Sequence, residues 1–172
     1  MRYIYIFVFS FSILSAGGGI LDIDWSSVAP KSIQQKPSAP YPKVLTEGIK
    51  DVHLPVYLSR QFAYDKNMSV VADKDFYTIT IDLDEAVVTF SGDRTYQESV
   101  SPKNPEFQKI AKATPPVEYN SAEGIMSAMF NRHGANYSIN IECEDPKKDK
   151  RCQKIDFISS LYHSLTIVGG RP

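Results

Sequence analysis

Polar and hydrophobic positions alternate most regularly between residues 76 and 91. In Phe76-Tyr-Thr-Ile-Thr-Ile-Asp-Leu83, Thr78, Thr80 and Asp82 interleave with Tyr77, Ile79, Ile81 and Leu83. After Asp84-Glu85 the same period returns, with Val87, Thr89 and Ser91 opposing Val88 and Phe90. Two period-two runs joined by two polar residues predict a β-hairpin with one dry and one wet face. The pattern recurs over 135–143, where Tyr137, Ile139 and Ile141 alternate with Ser138, Asn140 and Glu142, predicting another strand. A short strand is expected at 53–59, confined by Pro55 to a sheet edge or a strand start. Thr166-Ile-Val168 is expected as a short last strand.

Elsewhere the period lengthens to that of a helix. Asn104-Pro105-Glu106 offers a capping side chain, a proline suited to the first helical position and a carboxylate at the positive end of the dipole. Phe107, Ile110 and Ala111 then share one stripe. A second helix is expected from Ser121, carrying Ile125, Met126, Met129 and Phe130 and ending at Gly134. A third places Ile155, Ile158, Leu161, Tyr162 and Leu165 on one side. These elements together predict an α+β fold: an antiparallel sheet with about three helices packed on one face.

Residues 1–19 have a different character. Arg2 precedes an apolar and small-residue run from Tyr3 to Leu14, followed by Ser15-Ala-Gly-Gly-Gly19. That order of charge, apolar stretch and small residues is a signal peptide for secretion. The run is about a dozen residues, whereas a membrane span needs ~20. No cysteine follows it for lipid attachment, so no stable membrane anchor is expected after cleavage. Residues 20–47 contain Pro30, Pro37, Pro40 and Pro42 among serines, a composition that predicts an extended arm. Residues 48–172 form the expected single domain.

Composition narrows the function classes. The chain is 42% hydrophobic and 23% charged, as a folded domain is. Its net charge is -1, becoming -2 when Arg2 leaves with the signal. There is no basic excess to neutralise phosphates, which excludes nucleic acid as a partner class. Cys143 and Cys152 bracket a charged loop containing Pro146. In an exported chain, two cysteines at this spacing predict a structural disulfide. They lack the Cys-x-x-Cys spacing of redox pairs and the further ligands of a zinc site.

Catalytic grammar is sparse. There is no Gly-x-Ser-x-Gly motif and no phosphate-binding glycine loop, and no cofactor or metal is expected. The candidate site residues are His133, read as a group near a helix C-terminus, and the acids Asp82, Asp84 and Glu85, with Asp93 beyond them. An acidic turn is ordinary turn chemistry, and its spacing lacks the grammar of a calcium loop. The expected function is that of an exported, non-catalytic binding or cell-envelope interaction protein, periplasmic or extracellular, whose partner is a protein or an envelope component. The alternative is an exported hydrolase in which these carboxylates and His133 converge in the fold.

Overall fold

The computed structural model describes residues 19–28, 39–96, 104–106, 109 and 113–172. The signal segment 1–18, the central part of the expected arm at 29–38 and the stripe of Phe107, Ile110 and Ala111 lie outside the described residues.

The chain forms an antiparallel sheet accompanied by a few helices. Six strands make the main sheet: β3 (Met68–Ala72), β4 (Phe76–Leu83), β5 (Ala86–Asp93), β7 (Glu118–Ala122), β8 (Ile125–Arg132) and β9 (Ala135–Cys143). Their order is β3-β4-β5-β9-β8-β7. The expected 76–91 hairpin is present, with Leu83 opposite Ala86 across the Asp84-Glu85 turn. The 135–143 strand, β9, lies at the centre of the sheet between β5 and β8. Two short ladders complete the strands. β1 (Gly19–Ile20) pairs with β6 (Thr95–Tyr96), and β2 (Val56–Ser59) pairs with β10 (Leu165–Gly169).

Register explains how the core forms. Tyr77, Gly92, Tyr137 and Phe130 fall in one row across β4, β5, β9 and β8. The next rows are Ile79, Phe90, Ile139 and Ala128, then Ile81, Val88, Ile141 and Met126. All of these residues are buried, so the alternation read in the sequence places one whole face in the core. Tyr57 of β2 packs on that face, its ring edge-on to Tyr137 with centroids 5.0 Å apart. The Tyr77 hydroxyl locks the two layers together, accepting from the Tyr57 amide at 2.9 Å and donating to its carbonyl at 3.2 Å.

One expectation is corrected. The segment 121–134 is not a helix but the second strand of a hairpin with both its turns. Ile125, Met126, Met129 and Phe130 fit helical spacing, yet the residues buried are Met126, Ala128 and Phe130, which is period two. Ala128, easily passed over as a small residue, completes the alternation. The turns decide the matter: Glu123 (φ 52°) and Gly124 (φ 84°) close one hairpin, and His133 (φ 54°) and Gly134 (φ 85°) close the next. Two successive left-handed residues suit a two-residue hairpin turn and are incompatible with a continuing helix.

The described ends of the expected arm, 20–28 and 39–47, are joined to the domain. The arm's prolines stop at Pro42, the N-cap of helix α1 (Lys43–Gly48), which buries Leu45 and packs against β3. At the other end, β1 and the residues after it are bonded to the domain: Leu21 donates to the Arg94 carbonyl and Asp24 to that of His133. Helices α2 (Lys150–Gln153) and α3 (Ile155–His163) pack near β8 and β9. Of the helix expected from Asn104, the cap is seen, with the Asn104 side chain accepting from the Glu106 amide at 2.9 Å.

Candidate functional site

The residues singled out in the sequence lie at opposite ends of β9. Ala86 pairs with Cys143 at one end of β9, and Arg132 pairs with Ala135 at the other. At about 3.3 Å per residue, the nine residues of β9 put Asp84 and Glu85 some 25 Å from His133. Asp93 lies nearer the His133 end, opposite Asn136, but its carboxylate accepts from the Thr95 amide at 2.6 Å. Asp82 is exposed beside Val87. Asp82, Asp84, Glu85 and His133 are therefore not brought together.

The acidic turn has a structural partner instead. Arg151 forms an ion pair with Asp149 and donates to the Asp84 carbonyl at 2.7 Å. Cys143 and Cys152 are bonded, their Cα atoms 6.3 Å apart, so the loop between them is fastened beside the turn. Among the described residues, no three His, Cys, Asp or Glu side chains gather as a metal set.

His133 does acquire neighbours, from segments that sequence reading did not connect to it. Its Nδ1 is 2.6 Å from Ser27 Oγ, and its Nε2 is 2.8 Å from the Tyr57 hydroxyl. Ser27 Oγ is also 2.8 Å from the Asp24 carbonyl. A neutral imidazole satisfies all three contacts with one assignment of the protons. A carbonyl only accepts, so the Ser27 hydrogen points at Asp24; the Ser27–His133 contact then needs a hydrogen on Nδ1, and Nε2 accepts from Tyr57. The imidazole is neutral and donates to the serine. It is not withdrawing a proton from Ser27, as a base activating a nucleophile would.

The electrostatics agree. Burial, reinforced by the neighbouring Arg132 cation and opposed by Asp24, holds His133 below the usual histidine range. Arg132 itself is half-buried, its guanidinium carbon 5.3, 5.1 and 5.1 Å from the ring centroids of Tyr57, Phe130 and Tyr162. It donates to the Tyr162 hydroxyl at 3.0 Å. Three aromatic faces compensate a desolvated cation, by about 0.5–2 kcal/mol each. Sequence spacing gave no hint of this cluster, because Asp24, Tyr57, Arg132 and Tyr162 belong to four different segments.

The other face of the sheet carries polar side chains among exposed apolar ones such as Val71 and Met129. One row crosses all six strands: Ser69, Thr80, Thr89, Asn140, Ser127 and Asn120. Each carries a hydroxyl or an amide, none is charged and none is buried. At about 4.8 Å between strands the row is ~24 Å long. A hollow of about 480 Å³ opens over it, with Val87, Ile125 and Glu142 beside Thr89, Ser127 and Asn140.

Compared with known proteins, the chain matches no family model, no curated protein and no solved structure. Among the described residues, no helix is long and apolar enough to cross a membrane.

Proposed function

We propose that this chain is an exported, non-catalytic binding protein that contacts a protein or another component of the cell envelope through the polar face of its main sheet. The observation that carries this reading is the uninterrupted six-strand row from Ser69 to Asn120. Such a row keeps donors and acceptors in fixed register on a rigid support, and it imposes little desolvation cost compared with a charged surface. Export is supported by the order of residues in 1–19, and a disulfide is compatible with an oxidising compartment. A hydrolase built on His133 and carboxylates is the weaker reading, since the acids are dispersed and the imidazole donates to Ser27.

The test is retention of the purified chain on isolated envelope fractions, compared with a Thr89→Arg/Asn140→Arg double variant. Both substitutions fall on the open face, so folding is expected to survive, as checked by circular dichroism. Retention of the unaltered chain, reduced at least tenfold in the variant, supports the proposal. Equal recovery of both forms, or of neither, overturns it.

A further inference from the structure

Asp24, Ser27, Thr114, Arg132, His133 and Gly134 line a cavity of about 340 Å³ beside the β8–β9 turn, on the core side of the sheet and away from the polar face. Two opposite charges share this cavity without pairing. Among the described residues, no carboxylate lies within 4.0 Å of the Arg132 guanidinium, and no cation lies that close to Asp24. Their ordinary partners leave capacity unused. Arg132 has five N–H donors and bonds the Tyr162 and Tyr57 hydroxyls, which leaves donors over. Asp24 Oδ1 accepts from the Ser26 hydroxyl and the Ser27 amide, neutral donors of its own turn that leave the charge without a counter-ion among the described residues.

A guanidinium in a cavity wall recognises a carboxylate through paired N–H donors, and a carboxylate at the rim recognises an ammonium group. A simple anion would use Arg132 but face repulsion from Asp24, and a simple cation would meet the reverse. A ligand with separated charges and no net charge satisfies both at once. The imidazole cannot take part in either interaction, because Ser27 and Tyr57 already occupy its two nitrogens. We propose that this cavity is a binding site for a small zwitterion, an α-amino acid, with Arg132 holding its carboxylate and Asp24 its ammonium group. The cavity volume falls at the lower end of the ligand-pocket range, which suits a compact molecule. This site is independent of the polar sheet face, and either can fail without the other.

The experiment is a nuclear magnetic resonance titration of the full chain at fixed ionic strength, following the His133 imidazole and Gly134 amide signals. L-alanine, sodium propionate and ethylammonium chloride serve as probes, sharing one small carbon frame with both charges, the negative charge or the positive charge alone. Saturable shifts are expected with alanine, at least tenfold tighter than with either single-charge probe. Asp24→Asn should bring alanine down to the affinity of propionate. Arg132→Lys, which keeps the charge and loses the planar fork, should weaken alanine at least tenfold. Because Arg132 touches three rings, the probe comparison on the unaltered chain decides the matter even if that variant misfolds. Propionate binding as tightly as alanine, or no saturation by alanine, overturns the proposal.

Discussion

Ser27 Oγ and His133 Nδ1 meet at 2.6 Å although 106 positions separate them in the chain. The contact fastens the segment after β1 to the β8–β9 turn, alongside the bond from the Asp24 amide to the His133 carbonyl. It also makes the imidazole a sensitive group. With Nδ1 donating and Nε2 accepting, a second proton must enter on Nε2, against the Tyr57 hydroxyl and near Arg132.

Stability should therefore fall on mild acidification. Burial and Arg132 hold His133 below its ordinary value of 6.5 in the folded chain, so the unfolded chain takes up the proton first. The loss begins as pH drops below about 6.5 and is complete below the lower, folded value. Asp24 and Asp149 are shifted below the ordinary carboxylate value and act only in more acidic solution. Urea unfolding at pH 7.5, 6.5 and 5.5 should show a falling midpoint that His133→Asn flattens. An equal slope in the variant would assign the effect to another group.

The paired tyrosines of the core should respond differently to loss of a hydroxyl. Tyr77→Phe removes one acceptor and one donor from the Tyr57 backbone inside the core, leaving both peptide groups without those partners. A cost of about 2–4 kcal/mol is expected. The Tyr137 hydroxyl is buried with no partner among the described residues, so Tyr137→Phe removes only a desolvated polar group. That variant should be neutral or more stable by up to about 1 kcal/mol. Denaturant titrations of the two variants side by side check the ranking, and a larger loss in Tyr137→Phe contradicts it.

The central strands were legible in the sequence because burial on one face writes itself as strict alternation, as in Tyr77, Ile79 and Ile81. β8 was not, since Ile125 and Met129 are apolar residues on the open face and Ala128 is a small one in the core. Those three positions turn period two into an apparent helical stripe. β3 is obscured for a related reason: Val70 packs beside α1 while Val71, on the other face, is 64% exposed, so the run shows no clean alternation. The site fared worse. His133 stands out in the sequence as a polar residue beside glycine, but its partners come from distant segments, and only the fold brings Ser27 and Tyr57 to it. The disulfide is readable because the two cysteines bracket one short charged loop.

Gly92 should resist substitution despite its ordinary backbone. It faces the core between two rings, and a Cβ built there would lie 2.4 Å from a Tyr77 ring carbon and 2.9 Å from the Tyr137 ring. Tyr77 cannot swing aside without giving up its bonds to Tyr57. Gly92→Ala gains about 0.4–1 kcal/mol from a less flexible unfolded chain. Overpacking costs about 1–3 kcal/mol, and the pinned ring places this site at the upper end. A net loss near 2 kcal/mol is expected by denaturant titration. A variant as stable as the parent would show that the ring row can shift.

Breaking the disulfide should weaken the protein without unfolding it. Cys143 and Cys152 are nine positions apart, and closing so short a loop contributes roughly 2.5–3 kcal/mol in the chain-entropy account. The strand that carries Cys143 is held on both sides by β5 and β8, and neither ladder depends on the bridge. The loop has other fastenings as well: Asp149 caps α2 by accepting from the Arg151 amide at 2.8 Å, and Arg151 reaches the Asp84 carbonyl. Cys143→Ser/Cys152→Ser should therefore keep the far-ultraviolet circular dichroism of the parent and lose no more than about 3 kcal/mol in urea. Loss of the spectrum at neutral pH would mean that β9 needs the bridge to stay in register, and that the ladders beside it are weaker than their length implies.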